Sequence, residues 1–189
     1  MEPERKQRAK EENAIVLDFL QHGYADDPRP LHRKESIVQA IGKTFFTLLE
    51  LVPQPGIALK PFDEVYIGEG KRDKISFIRA ALFPDKLTQT AKSTMPAVVD
   101  KIISDREAQF VEYVNKAGPI SLRAHQLELL PGIGKRHAQD LLKAREEKPF
   151  TSFAEMRQRL PSMDVKKALM QRILDEIEGK DRYRLFVRV

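Results

Sequence analysis

Residues 130–136 read Leu-Pro-Gly-Ile-Gly-Lys-Arg, two glycines around an isoleucine followed directly by two cations. Glycine at 132 and 134 permits positive φ and removes side chains that would block an approaching oxyanion. A helical pattern resumes at Lys135, so the N–H groups near Gly132 to Lys135 converge on a helix N-terminus, where the dipole favours negative charge. Cations are disfavoured at that end of a helix, and Lys135 and Arg136 make sense there if they face phosphates. Pro131 shapes the turn, Ile133 points inward between the flanking segments, and His137 is a minor contact. Phosphate contacts read no base edge, so the binding expected of this segment is sequence-independent. A ligand-free turn between helices also uses glycine, but it seldom needs two around a buried isoleucine with two cations behind them.

A second turn, Pro161-Ser162-Met163-Asp164, lies between the helical patterns 153–160 and 166–177 and lacks the glycines. Asp164 suits a helix N-cap better than a phosphate contact. Arg157, Arg159, Lys166 and Lys167 either line a phosphate backbone or remain solvated. A further candidate set is Tyr66 with Arg72, Lys74 and Arg79, an aromatic beside basic groups of the kind that stacks bases of a single strand. Phe19, Phe45 and Phe77 read as core.

Catalytic chemistry finds little support. With no cysteine in the chain there are no thiolate metal sites and no Cys nucleophile. His22, His32, His125 and His137 show none of the close pairing that helical zinc ligands use. Gly68-Glu69-Gly70 is followed by Asp73 where a dinucleotide fingerprint needs glycine, and there is no P-loop. Asp85 with Glu146-Glu147-Lys148 echoes a nuclease pattern, yet Glu146 ends a helix instead of lying on a strand beside Asp85. The expectation is a non-enzymatic protein without metal or cofactor. Two rivals stay open: a nucleic-acid-processing enzyme with carboxylates at Asp85 or Glu146, and an adaptor that docks a protein through its barrel or through helix 96–115.

The elements that must position these residues fall into two blocks. Residues 1–13 are charged and read as a disordered tail. Short β-rich runs at 14–20, 36–41, 44–52, 63–68 and 74–81, with no helical pattern strong enough for βαβ units, predict a small barrel over 14–83. An OB-type barrel comes first and an SH3-like one second. Pro96 to Asn115 has helical apolar spacing, with Pro96 suited to the first helical position and Gly118-Pro119 to a stop. Helical patterns continue from Leu122, giving a helical domain over 96–179. The alternating segment 182–189 is a basic strand able to return to the barrel. The fold class is therefore α+β, an OB-like barrel followed by a helical domain.

The segment 122–150 closely resembles the helix-hairpin-helix motif, and with Ala144-Arg145 and Pro149-Phe150-Thr151-Ser152-Phe153 it resembles the modules of the bacterial competence DNA receptor and of the Holliday-junction branch-migration subunit. The second turn makes the unit a tandem one. Nearly the whole chain, through Asp63–Gly68 and Leu127–Arg136, resembles an archaeal family described as predicted RNA-binding. That resemblance implies an OB barrel joined to a tandem helix-hairpin-helix unit, with RNA or DNA as partner.

Charge agrees with a polyanion ligand. The chain of 189 residues carries a net charge of +5, and residues 120–189 hold 15 Lys and Arg against 10 Asp and Glu, leaving 18 against 18 in the rest. The whole excess lies in the last seventy residues, where such a ligand should dock. At 41% apolar and 32% charged, the composition allows a real core under a charged surface. No run approaches the ~18 apolar residues of a membrane span, and the charged N-terminus lacks a signal peptide's apolar stretch. The expected setting is cytoplasmic.

Overall fold

The computed structural model describes residues 10–181 and 183–188. They divide into two compact units, one running to Met95 and taking in the segment from Leu185, the other Pro96–Arg184.

The first unit is a five-stranded antiparallel sheet. Its strands are β1 (Asn13–Leu20), β2 (Ile37–Gly42), β3 (Leu48–Pro53), β4 (Glu64–Tyr66) and β5 (Ile75–Ala81), in the order β4-β1-β2-β3-β5. The sheet curls into a half-barrel, consistent with an OB-like barrel. A register shift between Val16 and Asp18 bends β1, as an extra residue in one strand does. Ala14, Val16, Val38, Ala40, Leu49, Leu51, Val65, Ile67 and Ile75 fill the inside of the curl. Strands β2 and β3 are buried along their whole length, so their second face is covered too. That face carries polar groups, and they are satisfied. Gln39 Nε2 donates to the Lys86 carbonyl at 2.9 Å and to the Tyr24 hydroxyl at 3.1 Å, while its Oε1 accepts the Thr88 amide at 2.9 Å. The Tyr24 hydroxyl donates to Glu50 at 2.6 Å, and burial pushes its pKa up to about 12.

Several sequence expectations change here. The expected tail over 1–13 overlaps the fold: residues 1–9 lie outside the described residues, but Asn13 begins β1 and Glu11 is buried. Glu11 accepts the backbone amides of Thr44 at 2.8 Å and Phe45 at 2.7 Å, which gives a charged residue a reason to join the fold. The run from Thr44 enters β3 only at Leu48, because Phe46 takes a positive φ of 55° in the intervening turn. Phe77 is half-exposed on the edge strand β5 instead of lying in the core. The segment 182–189 forms no strand among its described residues 183–188. It still reaches the β2–β3 turn: the Arg188 amide donates to the Phe45 carbonyl at 3.0 Å, and its guanidinium lies 3.8 Å from the Phe45 ring centroid.

Helix α1 spans Gln89–Asp105, so Pro96 lies inside it and not at its start. Thr88 caps the helix, its hydroxyl accepting the Ala91 amide at 3.0 Å, and the buried stripe Leu87, Ala91, Met95 carries the helix back past the proline. Expected as one helix with α1, α2 (Glu107–Lys116) is separated from it at Arg106. A short ribbon follows, β6 (Pro119–Ser121) with β7 (Ala124–His125), and then a 3-10 turn over Gln126–Leu129 where the sequence pattern suggests a helix. Helices α3 (Lys135–Glu147), α4 (Phe153–Arg159) and α5 (Val165–Ile177) complete the second unit.

Candidate nucleic-acid interface

The glycine turn is built in two hydrogen-bonded steps. The Leu130 amide donates to the Leu127 carbonyl at 3.2 Å, and the Ile133 amide to the Leu130 carbonyl at 3.0 Å. Leu127, Leu130 and Ile133 are all buried, so three apolar anchors hold the loop from beneath. Gly132 takes φ of 82°, the left-handed region that favours glycine. Gly134 does not: at φ −82° and ψ −179° it is extended and caps α3, so only one of the two glycines is required by backbone conformation. What both supply is space. A Cβ at either position would meet nothing within 4 Å.

The α3 N-terminus is electrostatically open. No side chain caps it, and no acidic residue lies in its first turn. Lys135 and Arg136 are exposed, and neither joins an ion pair among the described residues. His137 is half-buried with Nδ1 3.2 Å from the Gly132 carbonyl, where it donates and braces the loop. The 3-10 turn before the loop is fixed by a reciprocal cap, the Leu127 amide donating to His125 Nδ1 at 3.1 Å and the His125 amide to Glu128 at 3.2 Å. Burial, with Arg145 adding to it, holds the His125 pKa below its ordinary value and favours the neutral ring this cap needs.

The turn at 160–164 matches the one at 130–134. Leu160, Pro161 and Met163 stand where Leu130, Pro131 and Ile133 stand, and the Met163 amide donates to the Leu160 carbonyl at 3.3 Å. Met163 is buried as Ile133 is. The two turns line one groove of about 290 Å³, which Pro131, Gly132 and Ile133 share with Ser162, Met163, Asp164, Lys167 and Gln171. The ends of the two helices differ. Asp164 Oδ1 accepts the Lys167 amide at 3.0 Å and its other oxygen pairs with Arg157, so α5 is closed by a carboxylate.

The remaining cations sort by their partners. Arg159 donates to the Lys148 carbonyl at 2.8 Å and stacks 4.5 Å from the Phe150 ring centroid, a packing role. Lys166 pairs with Asp100 at 2.8 Å. Lys167 is exposed, lines the groove and joins no ion pair among the described residues, which groups it with Lys135 and Arg136. In the sheet unit, Tyr66 folds over Gly68 and Gly70, its hydroxyl accepting the Gly70 amide at 3.1 Å, and Arg72 Nε donates to the Gly68 carbonyl at 2.8 Å. Those two meet on one loop, whereas Arg79 lies on the opposite edge strand and pairs with Glu35 and Glu50. Lys74 is exposed just before that strand. The four do not form one stacking platform. Asp85 belongs to the first unit and Glu146 to the second, and no group of His, Asp or Glu among the described residues could hold a metal ion.

One supporting group escaped the sequence. Arg172 and Glu176 form a buried ion pair at 2.8 Å within α5, and Arg172 Nη1 also donates to the Leu129 carbonyl at 3.1 Å. It therefore ties α5 to the residue that enters the glycine turn. At i,i+4 on a charged helix the pair reads as surface; only the absence of solvent around it distinguishes it.

A family model described as "Protein of unknown function (DUF655)" matches residues 10–188. The chain is 39% identical over 189 residues to an uncharacterised protein of Methanocaldococcus jannaschii, MJ0038, covering 98% of this chain and 84% of that one. The crystal structure of Af1531 from Archaeoglobus fulgidus superposes with a TM-score of 0.89 at 39% identity, covering 94% of this chain and all of that one.

Proposed function

We propose a function for a chain that belongs to the DUF655 family: sequence-independent binding of RNA or DNA through the phosphate backbone, without catalysis. On this reading the sheet unit is an OB-like barrel and residues 119–177 are a tandem helix-hairpin-helix module. The observation that carries the proposal is the loop 131–134 ahead of α3. It combines open space at both glycines, an uncapped helix N-terminus and two cations without carboxylate partners. An anion at that position accepts the first amides of α3 and is drawn there by the dipole. Lys135 and Arg136 flank it, and Lys167 extends the charge across the groove. A phosphate diester is the anion that a sequence-independent binder would take, because its contacts leave the bases unread.

The test is a salt titration of binding to duplex DNA, single-stranded DNA and structured RNA. The wild type is expected to lose affinity steeply, with a log–log slope of about −2 to −4 for a few phosphates neutralised. Gly132→Glu/Gly134→Glu, which places carboxylates where phosphates should sit, is expected to abolish binding while the fold persists by circular dichroism. Equal binding by both proteins, or none by the wild type, overturns the proposal.

A further inference from the structure

We infer that the ribbon β6–β7 is an apolar wedge that enters a base step of a paired nucleic acid, an inference that rests on the proposed phosphate grip. Leu122, in the turn at the tip of the ribbon, is fully exposed, and Ile120, on the strand that leads to it, is 42% exposed. Arg123 lies beside them with no ion pair among the described residues, and residues 118–126 contain no Asp or Glu. An apolar tip with a cation and no carboxylate complements a stacked, negatively charged ligand; Leu and Ile are among the side chains that wedge between bases.

The ribbon is rigidly joined to the grip. The Gln126 amide donates to the Gly118 carbonyl at 3.0 Å across its base. The tip is tightened by Ser121, whose hydroxyl accepts the Arg123 amide at 3.2 Å. Arg145 of α3 donates to the Val114 and Ala117 carbonyls, each at 2.8 Å, just before the ribbon begins. After it, β7 runs into the capped 3-10 turn that leads to the glycine loop. One helix therefore carries the open N-terminus at one end and anchors the ribbon near the other. Unpaired strands are held by stacking on aromatic rings, and the one ring of the ribbon, His125, is taken up by the cap of the 3-10 turn; an aliphatic tip suits a step that is already stacked. The ligand class is thus a base-paired nucleic acid.

The experiment uses the full chain with a DNA duplex carrying 2-aminopurine and with the same labelled strand alone. Wild type should raise the fluorescence of the duplex on binding, reporting an unstacked base. Leu122→Ser, at a position with no packing to lose, should abolish that rise and weaken duplex binding about tenfold, leaving the single strand unaffected. Unchanged duplex affinity and fluorescence in Leu122→Ser, with binding still lost in Gly132→Glu/Gly134→Glu, overturn the wedge and leave the phosphate grip standing. No binding by the wild type to either DNA probe overturns the wedge, while the salt titration with structured RNA still decides the grip. A dimer that Leu122→Ser converts to a monomer in sedimentation without nucleic acid also overturns the wedge, because the tip would then be covered by a second copy.

Discussion

Gly134 and Asp164 occupy the same position in two matching turns, and only Asp164 fills the end of the helix that follows it. The Asp164 carboxylate takes the Lys167 amide and an arginine, while the corresponding amides of α3 meet no side chain. Stability and ligand binding therefore make opposite demands on one residue type at one structural position. Gly134→Asp should give α3 the cap that α5 already has and raise stability by a few tenths of a kcal/mol. The same carboxylate would repel a phosphate and lower nucleic-acid affinity at least tenfold, by about 1.4 kcal/mol or more. Urea unfolding and a binding titration on the same preparation check both signs; a variant that is more stable and binds equally well contradicts the site.

The two glycines should also separate from each other. Gly132→Ala forces a Cβ into φ of 82° and should cost about 1–2 kcal/mol, although the space around it is open. Gly134→Ser meets no such strain at φ −82° and should leave stability within about 0.5 kcal/mol, because serine and glycine are both accepted at an N-cap. Thermal unfolding of the two variants side by side distinguishes them. Equal losses would mean that the loop conformation differs from the one described.

Removing one member of the buried pair in α5 should be severe. Arg172→Met takes the guanidinium away from Glu176 in a fully buried position and from Asp181, and leaves the Leu129 carbonyl without that donor. The expected cost is about 3–5 kcal/mol, and replacing both residues by apolar ones should recover much of it. Equilibrium unfolding gives the totals. Hydrogen exchange at residues 127–134 gives the local effect, since the arginine holds the entrance to the glycine turn.

Local signals made the five strands and the glycine turn legible. Val65 and Ile67 alternate with Glu64 and Tyr66, and Leu-Pro-Gly-Ile-Gly states its own conformation. The failures came where a distant partner decides. Pro96 reads as a helix start until Thr88 and the stripe through Leu87, Ala91 and Met95 extend α1 back past it. Gln126–Leu129 has apolar spacing suited to a helix, but it is stopped at one turn where Leu130 becomes extended ahead of Pro131. The secondary cations looked alike in sequence, and only their neighbours separate Arg159, stacked on Phe150, from Lys167, which has no carboxylate beside it.

Glu11 and Gly42 should behave as a coupled pair. The Glu11 carboxylate is buried against backbone amides of the β2–β3 turn, and a Cβ at Gly42 would collide with it. Glu11→Ala should cost about 2–3 kcal/mol, the range for charged hydrogen-bond partners left unmatched in a buried site. Gly42→Ala should be destabilising in the wild type and nearly neutral once Glu11 is alanine, because the colliding group is then gone. A double-mutant cycle reads the coupling directly; additive losses would mean that Gly42 is required for its backbone alone.

The cap before the glycine turn should titrate. His125 Nδ1 accepts the Leu127 amide, which only a neutral ring can do, and burial holds its pKa in the folded chain below the ordinary 6.5. The unfolded chain therefore binds the proton more readily than the folded one. The contribution of the cap is fully present above about pH 6.5 and declines as the pH falls through that value towards the lower folded pKa. His125→Asn keeps a side-chain acceptor at the N-cap without a titrating group. The melting temperatures of wild type and variant should stay a constant distance apart from pH 8 to 7 and shift in favour of the variant as the pH drops to 5, while the other titrating groups affect both alike. Parallel curves over the whole range would mean that the ring does not lose its cap on protonation.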